Sequence, residues 1–167
     1  LLATPLRDRF GIFHHLEFYE VDDLATIIKA SASKLKVGID QDAAKEIAKR
    51  ARGTPRIANR LLRRCRDYAQ VKTSKDHVNF QLVEDCMQSL RIDIYGLDDL
   101  DIRLLKLMKT QYAGGPVGIE ALSATLNEEV DTLVDVIEPY LLKTGFLRRT
   151  SRGRELTELS IKHLFNS

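Results

Sequence analysis

Apolar positions recur at helical spacing along most of this chain, in two groups separated by a short stretch without periodicity. From about Asp22 to Lys36, the positions Leu24, Ile27, Ile28, Ser31 and Leu35 predict a helix that Gly38 stops. Asp40 can cap a second helix, whose small-residue face is Ala43, Ala44, Ile47, Ala48 and Ala51 and which Gly53 ends. Thr54 followed by Pro55 marks the third: a capping hydroxyl, then proline at the first helical position. Its predicted buried face is Ile57, Ala58, Leu61, Leu62, Cys65, Tyr68 and Ala69. Lys72 to Asp76 reads as a polar loop, and Phe80, Val83, Cys86, Met87 and Leu90 predict a fourth helix. Four short helices with short connections predict a small bundle.

Arg91 to Gly96 reads as a linker. Beyond it, Leu97, Leu100, Leu104, Leu105, Met108 and Tyr112 predict a helix that Gly114-Gly115-Pro116 breaks. Ile119, Leu122 and Leu126 give a shorter one. Asn127 is placed to cap a third, with Glu128 and Glu129 in its first turn, a core face of Val130, Leu133, Val134, Ile137 and Leu141, and Gly145 just past its end. Phe146 to Thr150 and Arg154 to Thr157 flank a Ser151-Arg152-Gly153 turn, which predicts a hairpin with a basic tip. Ile161, Leu164 and Phe165 mark a last helix. Three helices and then a hairpin is the order of a winged helix. Ahead of all this, Phe13, Leu16, Phe18 and Tyr19 suggest a single strand, Phe13 to Tyr19, after Gly11. A lone strand is not stable by itself, so its partners are expected upstream and the chain reads as the C-terminal part of a longer one. There is no internal repeat and no low-complexity segment.

Composition narrows the class. The 167 residues are 44% apolar and 30% charged, as in a soluble, cored protein. No apolar run reaches the roughly 18 residues that span a bilayer, and Leu1 to Arg9 is not a secretory signal. Cys65 and Cys86 fall on apolar helix positions, which predicts buried thiols in a reducing, cytoplasmic setting rather than ligands or a disulfide. The net charge of +2 says little about partners, but its distribution says more. Between Lys49 and Lys72 lie Arg50, Arg52, Arg56, Arg60, Arg63, Arg64 and Arg66 against the single acid Asp67. Between Lys143 and Arg154 lie Arg148, Arg149 and Arg152 with no acid. Acids gather at Asp98, Asp99 and Asp101, and at Glu128, Glu129, Asp131, Asp135 and Glu138. Two anion-facing patches are expected.

Three constellations carry candidate chemistry. Arg56 stands in the first turn of a helix, where free N–H groups and the dipole already favour an anion and a guanidinium can take a terminal phosphate bidentately; the plain alternative is a surface arginine beside a cap. Arg7 and Arg9 flank Asp8. They read either as a local salt bridge worth about 0–1 kcal/mol or as an arginine that reaches a phosphate on another subunit. Arg148, Arg149, Arg152 and Arg154 stand on the hairpin, where they can lie along phosphates or enter a minor groove, or simply be solvated. The helix before the hairpin carries Glu128, Glu129, Asp131 and Asp135 on its predicted exposed face, which argues against base reading in a phosphate-lined groove. Binding to backbone and shape, steeply salt-dependent, is expected instead. No metal site is expected. His14 and His15 are adjacent, so a strand would point them apart, and His77 and His163 lack ligand neighbours in sequence. Tyr95, Tyr112 and Tyr140 read as core or interface aromatics. Asp98, Asp99 and Asp101 read as a solvated helix start.

The segments Pro5-Leu6-Arg7-Asp8-Arg9-Phe10-Gly11, Leu16-Glu17-Phe18-Tyr19, and the run from Arg50-Ala51-Arg52-Gly53-Thr54-Pro55-Arg56 through Arg64 closely resemble the RuvB family. So do Gly114-Gly115-Pro116-Val117-Gly118, Glu138-Pro139-Tyr140-Leu141 and Gly145-Phe146 through Arg154. The resemblance covers nearly the whole chain in order. It implies a mainly α fragment: the end of an AAA+ ATPase core (1–20), a four-helix AAA+ lid (21–92) and a winged-helix DNA-binding domain with a β-hairpin wing (96–167). It implies an ATP-driven Holliday-junction branch-migration motor of bacterial recombination and repair. Arg9 is then an arginine finger acting in trans and Arg56 the sensor-2 arginine acting in cis. Pro55, Ile57 and Tyr19 would line the nucleotide site, and Arg148, Arg149, Arg152 and Arg154 would contact DNA. The implied cofactor is ATP with Mg2+, the implied partners duplex DNA or a junction, a ring hexamer of the same protein and a RuvA-type junction-binding protein, and the implied location a cytoplasm with a nucleoid. The sequence departs from the family pattern in lacking any G-x-x-x-x-G-K-[ST] phosphate loop, so this polypeptide alone is expected to bind no ATP and to be inactive. Asp22 stands where several relatives have proline, which touches only a helix start. Rival readings are a winged-helix regulator with a helical effector domain, another AAA+ DNA protein of clamp-loader or origin-binding type, and a helical scaffold that binds only protein.

Overall fold

The computed structural model describes residues 17–73 and 76–165, the last of these without its side chain. Arg9 and residues 13–16 of the expected strand lie outside the described residues. Glu17 to Glu20 are not strand. Instead Tyr19 donates its backbone N–H to Gly53 O at 2.9 Å, which ties this lead-in to the turn before the third helix.

The first core is a helical bundle. Helices α1 (Val21–Lys34), α2 (Gln41–Lys49), α3 (Pro55–Thr73) and α4 (Phe80–Ser89) pack Leu24, Ile28, Ala43, Ala44, Ile47, Ala58, Leu61, Leu62, Cys65, Val83, Cys86 and Met87 together. Small alanine positions on α2 let α1 approach closely, and α1 against α2 is the dominant pairing. A two-residue parallel pairing of β1 (Gly38–Ile39) with β2 (His77–Val78), absent from the periodicity, joins the α1–α2 and α3–α4 connections. Gly38 therefore does not stop α1. Lys36 makes that turn with a left-handed backbone (φ 57°), and Gly38 is a strand residue whose added Cβ would meet the His77 ring at 2.5 Å.

Two predicted caps do other work. The Asp40 carboxylate holds His77 Nε2 at 3.0 Å instead of capping α2. Thr54 Oγ1 donates to Ala51 O at 3.3 Å rather than accepting from the start of α3. On α4, Phe80 and Leu90 are exposed while Leu82 is buried, so its core face is rotated from the expected one. Both cysteines are free and buried, as their positions required. Their mutual hydrogen bond, with burial second, pushes the Cys65 thiol far above its ordinary range.

The second core is built on α5 (Asp99–Tyr112), α6 (Ile119–Leu126) and a third helix, α7. Helix α7 runs as Val130–Thr132, a π-helical turn Leu133–Ile137, and Glu138–Lys143. Leu104, Leu105, Met108, Leu122, Leu133, Ile137, Leu141 and Phe146 fill it. Strands β3 (Leu147–Thr150) and β4 (Gly153–Leu156) form the antiparallel hairpin, with Thr150 opposite Gly153 across a Ser151-Arg152 turn. An isolated antiparallel bridge from Val117 to Arg154 ties the segment before α6 to the hairpin. Helix α8 (Glu158–Phe165) closes the domain against α5 and β4. Asn127 ends α6 with a left-handed backbone (φ 55°) rather than capping α7, whose N-cap is Glu129. The π turn sits just before Pro139, a residue that cannot donate the next helical bond and whose ring crowds the preceding turn. Glu138, one of the clustered acids, is buried (3% exposed), while Val136 is 60% exposed.

Candidate functional site

Arg56 is exposed in the first turn of α3, a 19-residue helix with no acid in that turn. Among the described residues no carboxylate engages it or Arg60, one turn on. Both arginines border a pocket of about 260 Å³. Phe18, Thr54 and Ile57 line it from the bundle, and Asp135, Val136 and Pro139 from α7. Tyr19 is held beside it by its bond to Gly53 O, and Pro55 begins the helix from which Arg56 projects. The structure thus gathers Tyr19, Pro55, Arg56 and Ile57 around one turn. The two guanidinium groups at the helix start favour an anion, while Asp98 and Asp135 also line the pocket and oppose one, and Tyr19 and Pro55 are not among its lining residues. Lys143 reaches the pocket's edge, its Nζ 4.0 Å from the centroid of the Phe18 ring.

The wing arginines divide. Arg154 and Arg149 both hold Glu138. Arg154 donates Nε at 2.9 Å and Nη2 at 3.0 Å, and Arg149 donates at 3.0 and 2.8 Å. Burial acts to raise the Glu138 pKa, but the hydrogen bonds from Arg154 and Arg149 outweigh it and hold the carboxyl below the usual glutamate range. Arg148 pairs with Glu155 at 2.7–2.8 Å across the hairpin and stays largely exposed. Arg152 stands at the tip, exposed and without a carboxylate partner among the described residues. The sequence therefore placed four like cations on the wing, whereas the fold leaves one unpaired at the tip, one exposed on a surface pair, and two bracing a buried acid. The exposed acids of α7, Glu129, Asp131 and Asp135, remain on the face where a base-reading helix would need neutral or basic groups.

Periodicity missed a third group, at the seam between the two cores. Arg50 (3% exposed) donates Nε to Asp93 O at 3.0 Å and Nη1 to Glu46 at 2.7 Å, and pairs with Glu84 at 2.8 Å. Arg52 donates Nε to Gly96 O at 2.9 Å, hydrogen-bonds the fully buried Asp101, and lies 5.0 Å from the centroid of the Tyr140 ring. Tyr140 donates its hydroxyl to Tyr95 O at 2.6 Å. Burial pushes the Asp101 carboxyl up to about 6 despite the Arg52 charge, and its Oδ1 has no hydrogen-bond partner. His163 Nε2 lies 2.7 Å from the Asp93 carboxylate, and its ring packs edge-on against Tyr95 and Phe146. The supposed linker is a hydrogen-bonded hub. A signal for part of it was present: Asp101 lies on the apolar stripe of Leu97, Leu104 and Leu105, and Glu138 on that of Val130, Leu133 and Leu141. An acid on a buried stripe calls for a cation from elsewhere.

Among the described residues no group of three or more His, Cys, Asp and Glu could hold a metal ion. No helix among them is long and apolar enough to cross a membrane.

Comparison with known proteins matches residues 19–93 to the RuvB AAA lid domain and residues 94–165 to the RuvB C-terminal winged helix domain. A Holliday junction branch migration complex subunit RuvB from Ligilactobacillus salivarius is 52% identical over 164 residues, covering 98% of this chain and 48% of that protein. The solved structure of the Thermotoga maritima RuvB Holliday junction branch migration motor superposes with a TM-score of 0.94 at 52% identity, over 98% of this chain and 54% of that one. The chain spans about half the length of the relatives it matches.

Proposed function

The chain belongs to the RuvB family, and from that premise we propose that it is the nucleotide-responsive and DNA-gripping half of an ATP-dependent Holliday-junction branch-migration subunit. The observation that carries this reading is the 52% identity running through both domains, over 98% of the chain, to a branch migration subunit. Arg56, exposed at the start of α3 with no carboxylate partner among the described residues, suits a terminal phosphate, and Pro55, Ile57 and Tyr19 suit the wall of a base site. ATP, with its Mg2+, supplies the phosphoryl chemistry when bound. Arg56 would report which phosphates are present, and a lid tied to that report would change its angle. Arg9, at a position resembling the family's finger, would serve a neighbouring copy around a hexameric ring.

At the other end, Arg152 at the tip and Arg148 beside it would lie on phosphates or in a minor groove. The acidic face of α7 keeps that helix from reading bases, which suits a motor that must pass through any sequence. A RuvA-type junction protein would be a partner of the whole subunit. A bacterial cytoplasm with its nucleoid is the setting such a machine requires.

The test is binding of this chain to labelled four-way junctions, linear duplexes of several sequences and primer–template ends, each across a salt series. The expected result is binding to duplex and junction alike, independent of sequence and falling steeply with salt. A footprint on one sequence favours the regulator, a preference for primer–template ends favours a clamp-loader type, and no binding at low salt favours a protein-only scaffold. Any of these overturns the reading.

A further inference from the structure

Arg52 occupies a position that its backbone would rather give to glycine. Its φ is 54°, in the left-handed region, and Gly53 follows it at φ 70°. A non-glycine residue is held there only where its surroundings over-determine it. At Arg52 they do. The guanidinium, 11% exposed, reaches out of the bundle to the Gly96 carbonyl in the connection and to Asp101 in α5, with Asp98 at 3.4 Å and the Tyr140 ring of α7 beside it. One side chain of the first domain thus touches the connection and two helices of the second.

From this geometry we infer that Arg52 is the positioning residue that locks the winged-helix domain to the lid, so that the two move as one lever. Four observations point the same way. The left-handed backbone aims the side chain across the seam. The fork binds a carbonyl and a carboxylate at once, which a lysine cannot reproduce. Tyr140 closes the seam from the other side through Tyr95 O. Gly96 admits no side chain, since a Cβ there would lie 2.6 Å from Arg50 O. A buried ion pair such as Arg52 with Asp101 adds little net stability, and its value is in specifying one arrangement. Arg52 stands in the turn that leads into α3, four residues before Arg56 in that helix's first turn, so a displacement at the helix start is passed through Arg52 to the second domain. This mechanical meaning rests on the motor reading above, whereas the lock itself does not.

The experiment is amide relaxation by NMR on this chain, comparing rotational correlation times of the two domains. The parent chain should show one shared time. Arg52→Ala should show two shorter ones, with chemical shifts away from the seam unchanged and duplex affinity at the wing retained. A purely local packing role would instead perturb one domain's shifts and leave a single time. Should Arg52→Ala fail to fold, Arg52→Lys keeps the charge without the fork and is read in the same way. Two times support the lock, and a single time in the folded variant overturns it. In the whole motor the variant should migrate fewer base pairs per ATP hydrolysed. If the parent chain binds no DNA yet the variant still separates the domains, the motor reading falls and the lock stands. If DNA is bound but the domains never separate, the reverse holds.

Discussion

Arg154 lies bidentate against Glu138, at 2.9 and 3.0 Å, and so faces into the winged-helix domain although it belongs to the wing. Its neighbour Arg152 faces out. Two arginines two positions apart therefore have different surroundings. Arg152→Ala should weaken duplex binding about equally for all sequences and reduce the salt slope by about 1, as expected for one lost phosphate contact. Fluorescence anisotropy across a salt series measures this, and an unchanged slope removes Arg152 from the interface.

Arg154→Ala should act on stability instead. It strips a buried carboxylate of one of two partners, and losing one side of a buried pair costs about 3–5 kcal/mol; with Arg149 still in place, roughly 2 kcal/mol is expected. Urea denaturation followed by far-ultraviolet circular dichroism reads it. A variant as stable as the parent but defective in DNA binding would return Arg154 to the interface.

The Glu138 carboxyl is held below its ordinary pKa, so its contribution is present above the unfolded-state value of about 4.3 and is lost as pH falls through the lower folded value. The wing should loosen only in that acid range. Glu138→Gln should abolish this acid-dependent step and leave a wing that is weaker at neutral pH.

Asp101 has the opposite sign. Its folded carboxyl titrates near 6 against an ordinary 3.8, so its contribution is full below the ordinary value and declines as pH rises through about 6. The gap corresponds to roughly 3 kcal/mol at most. Stability measured between pH 4.5 and 7.5 should show this component in the parent chain and not in Asp101→Asn; equal pH profiles would rule it out.

In a full-length motor, Arg56→Ala should leave subunit assembly intact and slow ATP turnover by at least about tenfold, as expected for a lost charge-assisted phosphate contact of about 1.5–3 kcal/mol. Steady-state turnover alongside sedimentation separates the two effects. Normal turnover would exclude a sensing role.

Much of the fold was legible because it is periodic. The apolar spacing in α1, α3 and α5, the Gly-Gly-Pro break and the basic hairpin all rest on residues within one or two turns of each other. The caps were less legible. Asp40, Thr54 and Asn127 are suitable cap residues by type, but each was claimed by a competing partner, His77, the Ala51 carbonyl, and a left-handed helix end. The candidate site was legible in residue type, whereas the surroundings of each side chain were not. Arg56 keeps the exposure its position suggested, while half of the wing's cations turn inward.

Sequence alone determined where most of the helices lie and that an arginine stands in the first turn of α3, and it carried an acid on each of two apolar stripes without marking either as buried. Tertiary structure decided which cation answers each acid, because Arg52 and Asp101 stand 49 residues apart and only packing of the two domains brings them together. Helical periodicity extends over neighbours within a few residues, whereas the low dielectric that makes a buried charge choose its partner exists only once the chain has closed around it.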